Sequence, residues 1–315
     1  MEDIRFYNFE FELLDIEANF ISSNWQVQFN AVGQFEAHFP LDSDIAEIAM
    51  NHPYLVAVQG KNTAIVTGKK AGEDFAVFGR TCNWLLTKRI VPAFEKRTGT
   101  AAALACGFVA DAFADTENFI CVPGSAFENT VSIEKDEYLP LMDVVQECLH
   151  ADGGGHELVF DTQQKKWVFR VLCGSNRSLL LSEDNRNASG GEVCEDILEQ
   201  CESGWYQQKQ ETDNGEAFVW TKLDSAETTG IYRRECVLSA KTQEEAQREL
   251  AAMKKNISLT ANGMGLKWRT DYELGDMVRV QIRLGRVQCI GEKKITGVHL
   301  WYEEGETGEQ PIMEG

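Results

Sequence analysis

Apolar and polar side chains alternate with a period of two at both ends of the chain, and helical spacing interrupts that alternation in the middle. Trp25, Val27 and Phe29 fall on one side and Gln26, Gln28 and Asn30 on the other. With Gly33 to Pro40 following, the pattern predicts a hairpin over 24–40 that turns at 30–33. Upstream, Tyr7, Phe9 and Phe11 alternate with Phe6, Asn8, Glu10 and Glu12, which predicts an aromatic opening strand. Residues 44–50 suit a short helix. Strands are predicted at 54–60 and 62–69 across a Gly60–Lys61 turn, then at 75–79, followed by a short amphipathic helix over 82–89.

The middle changes character. Residues 101–114 are alanine-rich and favour a helix. In 136–150, Leu139, Met142, Val145, Cys148 and Leu149 recur at helical spacing, and Gly153, Gly154 and Gly155 stop the pattern. A hairpin is predicted from 156–160 and 166–172, and the polar, turn-rich stretch 182–191 reads as a linker. Beyond it come strands at 204–210, 216–223 and 231–238. A helix follows from Thr242 to about Leu259, with Thr242 and Glu245 placed as a capping box. Further strands are expected at 265–272, 277–284 and 285–302, the last broken at Gly291, and the acidic tail 303–315 is expected to be loosely held. The fold class is therefore mainly β with an α+β insert. Two barrel-like β domains, 1–95 and 192–315 (the second with one helix), flank a mixed domain at 96–191.

Length and composition agree with a multi-domain globular chain: 315 residues, 43% hydrophobic and 10% aromatic. The most apolar stretch, 101–114, contains Gly107 and Asp111 and is too short to span a bilayer. The start, Met1 to Arg5, lacks the apolar run of a secretory signal. A net charge of −20 argues against binding duplex DNA, which requires clustered Lys and Arg to displace counterions. Nine cysteines, an odd number at wide spacing without a C-x-x-C pair, suit synthesis in a reducing cytoplasm.

No catalytic signature stands out. With 50 carboxylates, proximity of Asp271 to Asp276 or of Glu183 to Asp184 is read as turn or surface chemistry. None of His38, His52, His150, His156 and His299 lies in an H-E-x-x-H pattern, and the nucleophile elbow, dinucleotide fingerprint and phosphate loop are absent. No catalytic residue, no cofactor and no metal ligand is expected. The tryptophans suit packing in alternating strands, with stacking on sugars as the alternative. A carbohydrate-binding β-protein and a cell-wall hydrolase therefore stay open beside a structural role.

Four segments carry a more specific pattern. The first is Gly33-x-Phe35 with Pro40 closing the hairpin. The second is Gly79 followed by Leu85, Leu86, Arg89 and Pro92. The third is Thr229-Gly230-x-x-Arg233-Arg234-Glu235, and the fourth is Leu274-Gly275-Asp276-x-Val278. In the last, glycine permits a positive φ and aspartate can bond to nearby amides, directly before an alternating strand. This ordered set resembles the tail-hub (tail-associated, baseplate-hub) proteins of tailed phages and prophages, of the long-tailed siphovirus type. A contractile-tail or injection-machine hub is a near neighbour.

The resemblance implies a non-enzymatic structural protein with two barrel-like domains per subunit. A homotrimer would then present six barrels as a pseudo-hexameric ring that joins the tail tube to the tip. It implies partners too: a distal tail or tail-tube protein, a tape-measure protein, and tip or receptor-binding proteins. DNA would pass through an acidic ring without specific binding, and no membrane span is implied. The location would be the virion tail tip, after synthesis and assembly in the bacterial host cytoplasm. Many such proteins continue into lytic or receptor-binding modules; this sequence stops soon after the second barrel, so the hub alone is expected. Arg233, Arg234 and the basic strand from Arg279 to Arg286 are expected at an interface or outer surface.

Overall fold

The computed structural model describes residues 2–124, 127, 129–150, 152–212, 215–224, 230–240, 242–253 and 256–313. By internal contacts the chain forms two units. The first comprises 1–190, 261–283 and 290–314, and the second 191–260 and 284–289. This grouping differs from three consecutive ranges divided at 95 and 191: the first two ranges fall in one unit, and 192–315 is shared between both.

Pairing of distant strands explains the grouping. Val287–Glu303 lies antiparallel to Ser22–Gln28, with Val298 opposite Val27, so C-terminal strands extend the N-terminal sheet. That sheet runs in the order Asn176–Leu181, Met277–Leu284, Val287–Glu303, Ser22–Gln28, Gln34–Phe39, Phe75–Thr81, Asn62–Ala71, Leu55–Gln59, Ile4–Tyr7, Leu13–Glu17. Strand Glu306–Met313 also pairs with Val287–Glu303. The tail is thus a hydrogen-bonded strand and not a loose end, and Val287–Glu303 passes through Gly291 without a break.

Most of the first ninety-five residues follow the alternation. The hairpin forms with Trp25 opposite Phe35, and their buried rings lie 4.2 Å apart. Helix α1 (Asp44–Asn51) buries Ile45 and Ala49, and the Lys69 ammonium donates to the carbonyls of Ala49 and His52 at its end. Leu55–Gln59 and Asn62–Ala71 pair across Gly60, where φ is +61°. The opening strand is shorter than the alternation suggests. It ends at Tyr7 because Asn8 Oδ1 accepts from the Glu10 and Glu12 amides, and the chain folds back into Leu13–Glu17. Phe11, at φ +64°, stacks on Phe160 at 4.1 Å and becomes part of the core. Residues 82–88 form a 3-10 helix, tighter than the expected α-helix.

In the mixed region, α2 (Ala101–Ala112) and α3 (Leu141–His150) pack beside the hairpin Gly155–Asp161/Lys166–Leu172, to which Phe119–Val122 adds in parallel. α3 begins later than the apolar spacing suggests. Leu139–Pro140 pairs with Ile90–Val91, and Pro140 is tolerated just ahead of a helix because it has no amide hydrogen to leave unpaired. Phe108, Val145, Leu149 and Phe169 share one core with Tyr7, Val56, Ile65 and Leu86. That continuity is why no unit boundary falls near residue 95.

Within the stretch expected as a linker, 182–187 is a turn tied by Ser182, Asn185 and Asn187, but Ala188–Asp196 is a strand paired with Asn256–Gly263. In the second unit, Ser203–Thr212 pairs antiparallel with Gly215–Asp224 and parallel with Glu235–Val237. The strand expected over 231–238 is only this short piece, preceded by a 3-10 turn at Gly230–Tyr232. Helix α4 (Gln243–Ala252) has the full capping box of Thr242 and Glu245, and it sets Ala246 and Leu250 against Tyr206 and Leu238. It ends at Ala252, short of Leu259, because 256–263 extends as a strand; Lys254 and Lys255, between them, lie outside the described residues. The expected strand 265–272 is a run of turns with one bridge, Trp268 to Tyr272.

Candidate functional site

The best-formed cluster of sequence-singled residues is the turn at Gly275 and Asp276. Gly275 has φ +90°, and a Cβ there would lie 2.6 Å from Cε2 of Phe29. The turn lies against the first hairpin through that ring. Phe29 also sits against Gly155, under the Lys294 ammonium at 4.4 Å, and its amide donates to Thr296 O at 2.8 Å. Gly174 closes the other side, where a Cβ would meet Gly275 O at 1.7 Å.

Asp276 is only 2% exposed yet ionisable. Its Oδ1 accepts from the Ser175 amide (2.8 Å) and hydroxyl (2.9 Å), while its Oδ2 accepts from the Glu273 amide (2.8 Å) and Arg177 Nε (2.6 Å). Burial alone would raise its pKa, but these donors outweigh that effect and hold it below the usual aspartate value. Neighbouring backbone bonds complete the junction: Gly275 N to Ile295 O, Ile295 N to Asp276 O, and Met277 N to Ser175 O. Leu274 and Val278 are buried on either side. The carboxylate thus joins the start of strand Met277–Leu284 to the chain around 175–177, about a hundred residues earlier. No local spacing in the sequence marks Ser175 or Arg177 as partners of Asp276, or Phe29 and Gly174 as neighbours of Gly275.

The first and second segments meet. Strand Gln34–Phe39 pairs with Phe75–Thr81 so that Phe35 faces Gly79. A Cβ on Gly79 would lie 2.0 Å from Ile65 O, and one on Gly33 would lie 2.1 Å from Gln26 O, so both glycines serve close backbone approach. Gly33 N donates to Thr81 Oγ1 at 2.8 Å. Pro40 O accepts from Ser43 N ahead of α1. Leu86 is fully buried and Leu85 packs on the same core. Arg89 pairs with Asp115 at 3.1 Å and lies over the Phe113 ring, whereas Pro92 is exposed.

The third segment belongs to the second unit, with Thr229 outside the described residues. Arg233 pairs with Glu235 at 2.7 Å, Glu235 also holds Lys222 at 3.3 Å, and Arg234 donates to Ile197 O and Gln200 Oε1. Every charged group of this segment has a protein partner.

Among the described residues, no group of three or more His, Cys, Asp or Glu side chains is placed to hold a metal ion. His156 is fully buried, and burial pushes its pKa down to about 3, so the ring stays neutral at physiological pH. A groove of about 1010 Å³ in the first unit is lined by Trp25, Gln59, Asn62, Trp268 and Gln310 among others, and Trp25 Nε1 donates to Gln59 Oε1 at 2.6 Å. Among the described residues, no helix is long and apolar enough to cross a membrane.

The sequence matches no protein-family model and no curated protein. Its fold matches solved structures over almost the whole length. The tail protein from Neisseria meningitidis MC58 superposes with a TM-score of 0.64 at 14% identity, covering 99% of this chain and 96% of that one. Prophage tail protein gp18 from Listeria monocytogenes EGD-e gives 0.61 at 12% identity, covering 99% and 94%. The 43 kDa tail protein of prophage MuSo2 from Shewanella oneidensis gives 0.58 at 14% identity, covering 99% and 98%. The chain therefore has the mainly β fold of phage tail proteins.

Proposed function

We propose that this chain is a structural hub protein at the tip of a phage or prophage tail. Three copies close a pseudo-hexameric ring that joins the tail tube to the tip and surrounds the DNA channel. The observation that carries the reading is the fold likeness to tail proteins, which spans nearly all of both chains in each pair. Each subunit contributes two barrel-like portions, drawn from 1–95 and 192–315. The surplus of negative charge, −20 per chain, lets duplex DNA slide past without adhering. Its neighbours are a distal tail or tail-tube protein, a tape-measure protein, and tip or receptor-binding proteins. Assembly takes place in the bacterial host cytoplasm.

The test is placement and stoichiometry. Particles carrying a tagged copy are imaged by electron microscopy, and the protein assembled with its neighbouring tail proteins is weighed by native mass spectrometry. Label at the end of the tail distal to the capsid, with three copies per particle, is the expected result. Label along the tail, another stoichiometry, or normal tails after deletion of the gene would refute the proposal. The hub acts without catalysis, so labelled peptidoglycan and common glycosides should show no turnover; activity lost in one Asp or Glu variant would overturn that part.

One observation favours the carbohydrate alternative: the groove beside Trp268 and Trp301 combines half-buried indoles with the side-chain amides of Asn62 and Gln310. Micromolar binding on a glycan array by a monomer, abolished in Gln310→Ala, would decide for it.

A further inference from the structure

The first unit holds a cavity of about 560 Å³ next to the Gly275–Asp276 junction, a size that suits a small ligand. Val58, Val159, Leu172 and Leu274 give it apolar walls. Trp268, Arg269 and Glu273 line it as well, and each carries a polar group that the described residues leave without a partner.

Arg269 adopts φ +66°, uncommon for a long side chain, and its amide is held there by a bond to Tyr272 O at 2.8 Å. Its side chain is half-buried, and the guanidinium lies over the Trp268 ring at 4.2 Å. Among the described residues, no carboxylate pairs with that guanidinium and no acceptor bonds to it. Trp268 Nε1 is buried and also lacks an acceptor among them. Glu273 is anchored separately, its amide donating to Asp276 Oδ2 at 2.8 Å, and its carboxylate has no partner among the described residues. Other charges lining the cavity are already engaged. Arg170 pairs with Glu157 at 3.4 Å, and Asp161 Oδ1 accepts from the Gln163 and Gln164 amides at 2.9 Å each. Lys61, beside the Gly60 turn, is exposed.

One cavity thus presents unbonded donors together with an unbonded carboxylate, fixed by separate anchors that keep them from pairing with each other. Donors withdrawn from water without an acceptor carry a cost that an anionic oxygen removes. We propose that this cavity binds a small zwitterion of the α-amino-acid class with an apolar side chain. The ligand carboxylate accepts from the Arg269 guanidinium and from Trp268 Nε1, which lie together because the guanidinium covers the indole. The ligand ammonium donates to Glu273, and the apolar side chain rests on the walls around Val159 and Leu172. A phosphate dianion fits less well, because Glu157, Asp161 and Glu273 line the same space and would repel it.

Titration calorimetry on the full-length protein tests this with three probes: L-leucine, leucinamide, which lacks the carboxylate, and N-acetyl-L-leucine, which lacks the ammonium. L-Leucine should bind at a single site per chain, and each derivative should bind at least about tenfold more weakly. Arg269→Gln should remove the preference for leucine over leucinamide, and Glu273→Gln should remove the preference over N-acetyl-L-leucine. Each variant should keep the preference that the other loses. No binding of L-leucine at ~10 mM, or affinity for either derivative equal to that for leucine, would overturn the proposal. So would both preferences surviving in the two variants, or equal weakening of all three probes, the mark of a purely structural role. The wild-type chain with its three probes decides the matter by itself, so misfolding of a variant does not remove the test.

Discussion

Replacing Gly275 by alanine probes the junction on which the first unit is tied together. Two costs follow from the geometry. A residue with a side chain held at φ +90° sits outside its ordinary range, which costs about 1–3 kcal/mol. The new Cβ also falls 2.6 Å from Cε2 and 2.9 Å from Cζ of Phe29, inside any normal carbon contact. The ring has little room to retreat, because Gly155 and the Lys294 ammonium lie against it. Forcing it aside adds overpacking of about 1–3 kcal/mol, so Gly275→Ala should destabilise the first unit by about 2–6 kcal/mol in all.

A urea titration measures the sum, but with two units the transition need not be two-state. Hydrogen exchange of the Phe29 amide, which is bonded to Thr296 O, and of the residue-275 amide, bonded to Ile295 O, reports the junction itself. Combining the change with Phe29→Leu separates the two costs. The steric part disappears in the double variant and leaves a coupling of roughly 1 kcal/mol or more, while the backbone part persists. Protection of these amides equal to wild type in Gly275→Ala would refute the reasoning altogether. Strict additivity with Phe29→Leu would refute the steric half.

Asp276→Asn should cost about 2–4 kcal/mol, since it weakens the buried bond from Arg177 and leaves donors around 175 and 273 poorly matched. Because the Asp276 pKa is depressed in the folded state, its stabilisation is present above the ordinary aspartate value and lost as pH falls through the folded value; the acid limb of the stability profile should flatten in the variant. His38 lies between Asp74 at 2.7 Å and Glu36 at 2.9 Å; burial alone would lower its pKa, but the two carboxylates outweigh it and the net shift is upward. Its contribution is therefore complete below the ordinary histidine value and lost as pH rises through the folded one, and His38→Gln should erase that slope in melting temperature against pH. Thr242→Ala removes one half of the capping box and should cost about 1 kcal/mol, read as faster amide exchange in α4 with the first unit unaffected.

Local physics made much of this molecule legible from its residues. Alternation placed the hairpin around 30–33 and the strand Met277–Leu284, and the Thr242–Glu245 pair marked the start of α4, because period and capping act between residues a few positions apart. The positive φ at Gly275 follows from the same kind of local signal. Where local preference was outweighed, a distant partner was responsible. The acidic tail reads as loose until Val287–Glu303 supplies hydrogen bonds for Glu306–Met313. The stretch from Ala188 reads as a linker until Asn256–Gly263 pairs with it, and the same pairing competes with continuation of α4.

The division at residue 95 reads as a domain boundary because composition changes there, yet the apolar faces on both sides bury against each other in one core. The partners of Asp276 were hidden for the same reason. A carboxylate's donors are specified only once strands far apart in the chain have been brought side by side. The four segments singled out from the sequence thus proved to be places where the backbone turns or comes close to itself. Which strands they would join was decided by tertiary pairing, since hydrogen-bond complementarity between extended strands is generic and only burial of their matched faces selects the register.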